Sequence, residues 1–112
     1  MAKVKIAPSL FNEIQSKFKG ESHKIIDLLE TLEKSPLKGK IVGQIGGILI
    51  KELKYKNFRF YFIVDGHKLK VLGFGELREL LIHFVRMSNK KDQQKVINEI
   101  KNVLRKIGDE EF

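Results

Sequence analysis

Between residues 51 and 66 the chain reads KELKYKNFRFYFIVDG, which sets cations among residues that otherwise build sheet core. Lys51, Lys54, Lys56 and Arg59 share this stretch with Phe58, Phe60, Tyr61, Phe62 and Ile63. A strand needs no cation in order to fold, whereas a surface that holds a polyanion does. Side chains alternate between the two faces of a strand. Over 58–64, Arg59, Tyr61 and Ile63 therefore oppose Phe58, Phe60, Phe62 and Val64. Over 48–55, Ile50, Glu52 and Lys54 oppose Leu49, Lys51 and Leu53. The Phe row is too much apolar surface to leave in water, at roughly 1.5–3 kcal/mol for each side chain buried. It is predicted to lie beneath helices, so that Arg59 and Tyr61 look out from an uncovered face. In LLIHFVR (80–86), strict alternation puts Arg86 with Ile82 and Phe84, and turns His83 the other way unless a bulge intervenes.

Arg59 then has two readings. Its guanidinium fork can grip two phosphate oxygens, or it can pair with Glu52 across neighbouring strands. The histidines carry less. His67 falls at a turn, His23 near a helix start, and His83 on the face opposite Arg86. With three scattered His, no Cys and no paired carboxylates at ligand spacing, neither a metal site nor a disulfide framework is expected. No Ser-His-Asp set, dinucleotide fingerprint or Walker loop is present, and no cofactor is expected.

The elements that must position these residues follow from periodicity. KVKIA (3–7) alternates as a half-buried strand, and Pro8 ends it, with Ser9 as a candidate N-cap. Leu10, Phe11, Ile14 and Phe18 recur at helical spacing, with Gly20 as the stop. Ile25, Ile26, Leu28, Leu29 and Leu32 mark a second helix, opened by Ser22 and closed by Ser35-Pro36. The glycine-rich run 37–47 reads as a mobile connector. Strands are predicted at 48–55, 58–64, 67–73 and 80–86, with Asp65-Gly66 as a hairpin signal. From Asp92, the residues Val96, Ile97, Ile100, Val103, Leu104 and Ile107 mark a C-terminal amphipathic helix. The order β-α-α-β-β-β-β-α is that of an α+β fold: a mainly antiparallel twisted sheet, an N-terminal helix hairpin and a C-terminal helix, packed on one face.

The chain of 112 residues is one domain's worth, 1–112, with 42% hydrophobic and 32% charged residues. The start, MAKVKIAPSLFNEI, lacks the apolar run of a signal peptide, and no stretch approaches a membrane span; a cytoplasmic protein is expected. The net charge is +8, with the basic excess in 34–60 and 81–107 and the acidic excess in 21–33 and 108–112. Two separate basic segments in a small domain create a local positive field that favours phosphate-rich partners, and a merely solubilising surface is the alternative reading.

Taken together, these residues resemble the RelE/ParE toxin superfamily, and within it the HigB-like, phage-associated branch. The resemblance rests on PLKG (36–39), Glu52-Leu53-Lys54, Phe58-Arg59-Phe60-Tyr61, Asp65-Gly66 and Phe84-Val85-Arg86 before a final helix. Met87 stands where a second basic residue is common, the basic pair falls at Lys90-Lys91, and GFGELREL (73–80) looks like an insertion. The resemblance implies a RelE-like fold and the toxin of a type II toxin–antitoxin system. It further implies a ribosome-dependent mRNA interferase, a metal-independent endoribonuclease whose partners are a cognate antitoxin, mRNA and the ribosome. On that chemistry Arg59 and Arg86 stabilise charge on the phosphate, Lys54 supports them, and Glu52 accepts the 2′-hydroxyl proton. Tyr61 or Phe84 could stack on a base, although Tyr61 could equally just finish the open face, and Lys90 and Lys91, solvated in a loop before the helix, make at most transient contacts with RNA phosphates. The alternative is a non-catalytic binding protein of the same fold, either gyrase-inhibitor-like or an inactive RNA-binding relative.

Overall fold

A computed structural model describes residues 2–72, 80–106 and 112. Five strands form one mixed sheet in the order β1-β5-β4-β3-β2, comprising β1 (Ala2–Ile6), β2 (Lys40–Ile45), β3 (Ile48–Tyr55), β4 (Phe58–Asp65) and β5 (Leu80–Asn89). β2 through β5 pair antiparallel, and β1 joins β5 in parallel, with Ala2 opposite Leu80 and Ile6 opposite Phe84. The helices are α1 (Pro8–Phe18), α2 (Ser22–Glu30), α3 (Gly66–Leu72) and α4 (Gln93–Lys106).

Helices α1 and α2 form where their periodicity predicts. Pro8 occupies the first turn of α1, where its missing N–H costs nothing, and Ala7 rather than Ser9 takes the N-cap position. Leu10, Ile14, Ile25 and Leu29 are buried against Phe60, Phe62, Val64, Ile82 and Phe84 of the sheet. The Phe row is thus covered, as its apolar area requires. The tight turn between β3 and β4 places Lys56 in the left-handed region (φ 54°), and its ammonium reaches Glu21 at the hairpin's bend, 2.9 Å away.

Three expectations are corrected. The glycine-rich run contains a strand: Lys40–Ile45 pairs with β3, and Gly46, at φ 58°, makes the turn. The expected strand 67–73 is helix α3 as far as Leu72, because the Asp65 carboxylate accepts hydrogen bonds from the backbone N–H groups of His67 and Lys68 and so caps a helix start. The helices also lie on both faces of the sheet. α4 packs on the side opposite the hairpin, where Ile97, Ile100 and Leu104 join Ile50, Ile63, Tyr61 and Val85 in a second core. The expected insertion at 73–80, apart from Leu80, and most of the acidic segment 108–112 lie outside the described residues. Among the described residues no helix is long and apolar enough to cross a membrane.

Candidate functional site

The face beneath and beside α4 carries the polar residues singled out from the sequence, and the ladder registers fix their neighbours. Lys54 stands opposite Arg59, and Arg59 opposite Ser88, a row across β3, β4 and β5. One step along, Glu52 stands opposite Tyr61, and Tyr61 opposite Arg86, with Lys40 of β2 opposite Glu52. Arg86 belongs to this face because β5 contains a bulge. Tyr61 pairs with Arg86 but Phe62 pairs with Phe84, so Val85 is an extra residue that reverses the parity. His83, opposite Ile63, consequently shares the face with Arg86, and Phe84 turns to the hairpin side, its ring 4.8 Å from that of Phe62.

Arg59 is only 8% exposed, and its Nε is enclosed with no hydrogen-bond partner. Among the described residues no ion pair reaches it, so the cross-strand pairing with Glu52 is absent. Glu52 is instead opposite Tyr61, 3% exposed, and its Oε2 accepts a hydrogen bond from the Gln93 amide at the start of α4, 2.9 Å away. The Tyr61 hydroxyl lies 2.7 Å from the Ser88 hydroxyl. Burial pushes the Tyr61 phenol above its usual range, a shift that the Ser88 hydrogen bond opposes. The Glu52 charge also raises it and the Arg59 charge lowers it, so both ions act on this hydroxyl. Arg86 is half-buried, donates from Nη1 to the Val85 carbonyl, and has its guanidinium carbon 5.1 Å from the Phe112 ring centre. Lys54, Lys90 and Lys91 are exposed. No group of three His, Cys, Asp or Glu positioned for a metal occurs among the described residues.

The structure therefore brings together Arg59, Arg86, Glu52 and Lys54, and leaves Lys90 and Lys91 at the end of β5. It corrects the expected accessibility of three residues. Arg59 is enclosed rather than open because α4 covers part of the face. Tyr61 is fully buried in the second core and Phe84 in the first, so neither ring presents a free side on which a base could stack. Lys51 lies on the other face, 2% exposed, with its ammonium donating to the Leu37 carbonyl at 3.1 Å.

Ser88, Gln93 and Phe112 escaped the sequence reading. Ser88 had a visible signal, since it follows Arg86 by two residues and so shares its face. Gln93 and Phe112 had none, because only the docking of α4 and the fold of the chain bring them to the sheet.

An arrangement of three cations around one enclosed carboxylate can bind an oxyanion and hold a proton acceptor beside it. No family model matches the chain, and no curated protein matches it. Among solved structures, a chain of the archaeal RelE-RelB complex from Pyrococcus horikoshii OT3 is similar, with a TM-score of 0.59 and 14% sequence identity. The match covers 80% of this chain and 94% of that one. At this identity the likeness is one of architecture, and what it establishes is that this chain has the α+β fold of a protein from a RelE-RelB complex.

Proposed function

We propose that this chain is the toxin of a type II toxin–antitoxin system, of the HigB-like branch, acting in the cytoplasm as a ribosome-dependent mRNA interferase. The observation that carries the reading is Arg59, an enclosed guanidinium with no carboxylate partner among the described residues, in one cross-strand row with Lys54 and Ser88. A buried cation without a counter-charge is costly to the fold, and an anionic ligand offsets that cost. The fold of a protein solved in a RelE-RelB complex supports an antitoxin partner. In metal-independent cleavage the RNA 2′-oxygen attacks the adjacent phosphorus, giving a 2′,3′-cyclic phosphate, and the P–O5′ bond breaks. Glu52 takes the 2′-hydroxyl proton, and Arg59, Arg86 and Lys54 stabilise charge on the phosphoryl oxygens. A proton must reach the departing 5′-oxygen, and water can supply it.

One observation favours the second reading, a non-catalytic RNA- or protein-binding relative: Gln93 already occupies a Glu52 oxygen. The experiment is mRNA end-mapping on translating ribosomes, with ribosome co-sedimentation alongside. Wild type should cleave. Arg59→Ala and Glu52→Gln should lose roughly a hundred- to a thousandfold in rate while still sedimenting with ribosomes. Ribosome binding with intact mRNA in wild type would replace the enzyme reading with the binding one.

A further inference from the structure

We propose that Ser88 is a phosphate ligand of this face, and that Tyr61 is the positioning residue that aims its hydroxyl. The inference rests on the reading that the face receives an RNA phosphate, and adds to it a residue that no motif marks. Directly paired residues hold their Cβ atoms about 4.5–5.5 Å apart. The Ser88 hydroxyl, the Arg59 guanidinium and the Lys54 ammonium therefore project side by side from three adjacent strands. Ser88 is 6% exposed and Arg59 8%, so two of these three groups are built into the face. An enclosed guanidinium N–H such as that at Arg59 Nε costs free energy until an acceptor oxygen meets it.

The direction of the Tyr61–Ser88 hydrogen bond decides what Ser88 can do. A serine hydroxyl has one hydrogen to donate and lone pairs to accept. When Tyr61 donates to Ser88, the Ser88 hydrogen remains for an oxyanion. The opposite direction would turn lone pairs toward an anion, which repels it. The two hydroxyls lie 2.7 Å apart and either can be the donor, so a bound anion is free to set the direction. An anion beside Arg59 then selects the chain Tyr61 to Ser88 to oxyanion, in which each bond strengthens the next. Phosphate offers a separate oxygen to each of Lys54, Arg59 and Ser88, whereas a halide offers a single atom to all three.

The test titrates inorganic phosphate into the full chain, following backbone amide NMR shifts at residues 54, 59 and 88, with thermal melts of each variant. Wild type should show saturable shifts there that sodium chloride at matched ionic strength does not reproduce. Ser88→Ala should weaken phosphate roughly tenfold, the scale of one hydrogen bond to a charged group. Ser88→Thr should retain it, and Tyr61→Phe should weaken it severalfold. Ser88→Ala strands the Tyr61 hydroxyl and can unfold the protein, so the Tyr61→Phe/Ser88→Ala pair, which leaves neither hydroxyl behind, is the companion variant. If Tyr61 acts through Ser88, that pair binds phosphate no more weakly than Ser88→Ala alone. Wild-type affinity in either folded Ser88 variant lacking the hydroxyl, additive losses in the pair, or equal shifts with chloride would each overturn the proposal. The titration contains no ribosome, so a failure here and a failure to cleave mRNA are separate results.

Discussion

At the scale of single residues, two buried cations lie on opposite faces of one sheet and respond to different tests. Arg59 has an enclosed Nε without a hydrogen-bond partner among the described residues, and on the proposed function this is a cost to the fold that an anionic ligand offsets. Arg59→Met, similar in volume and without charge, is expected to raise stability by about 1–3 kcal/mol in urea denaturation while weakening RNA binding. A variant that loses both stability and binding would mean that Arg59 works for the fold. Lys51 is held by one carbonyl under the connector after α2, and burial lowers its ammonium pKa below the usual lysine range. The folded chain therefore gives up this proton at lower pH than the unfolded chain does. The penalty is complete below the depressed folded value and is relieved as the pH rises from there toward the ordinary lysine value. The stability of wild type relative to Lys51→Met should accordingly improve across that alkaline window, measured by denaturant unfolding at a series of pH values. A flat difference would count against a buried charged lysine.

At the scale of elements, turns separate into those that need glycine for its backbone and those that need it for space. Gly39 has φ 103°, and a Cβ there would come within 2.7 Å of the Phe62 ring. Gly46 has φ 58° with nothing within 4 Å. Gly39→Ala should therefore cost about 2–4 kcal/mol, and Gly46→Ala about 1 kcal/mol, in chemical denaturation. Equal costs would show that the connector relaxes away from Phe62. The same elements show what was legible beforehand. The helix hairpin, α4, the Phe row and the strands 48–55 and 58–64 follow from periodicity, because each buries a regular apolar stripe. The segment 67–73 alternates like a strand, yet Asp65 caps a helix that runs as far as Leu72, and a local carboxylate outweighs a short period-two pattern. β2 was hidden by its glycines. The open face was over-read: Ile50 and Ile63 already gave it apolar positions, and the stripe Ile97, Ile100, Leu104 needed such a partner. The Val85 bulge, which turns Arg86 toward the site and Phe84 away, leaves no mark in a single sequence because it is a property of pairing.

At the scale of the whole molecule, the two faces of the sheet differ in charge, the hairpin side being near balance because exposed Lys17, Lys19, Lys24 and Lys34 offset most of its acids. Lys40, Lys54, Arg59 and Arg86 share one face, whereas Glu13, Asp27, Glu30 and Glu33 are exposed on the helix hairpin and its end. A polyanion is therefore expected to approach from the α4 side. Its affinity should fall by roughly 0.7 log units per log unit of salt for each phosphate neutralised on single-stranded RNA. Lys90→Ala should reduce that slope by less than one phosphate's worth, since this side chain is exposed at the end of β5, whereas Arg86→Ala should remove about one. Fluorescence anisotropy across a salt series reads both, and a salt-independent affinity would contradict a charge-driven interface.

The parallel pairing of β1 with β5 fixes an order of events when the protein is made. Strand β1 finds its neighbour only after residues 80–84 have been synthesised. Arg86 and Ser88 belong to that same late strand, so every shorter nascent chain lacks one side of the cationic row. If the ribosome is the target, a nascent chain that has not yet reached β5 lacks Arg86 and Ser88, and its phosphate grip is incomplete while it is still being built.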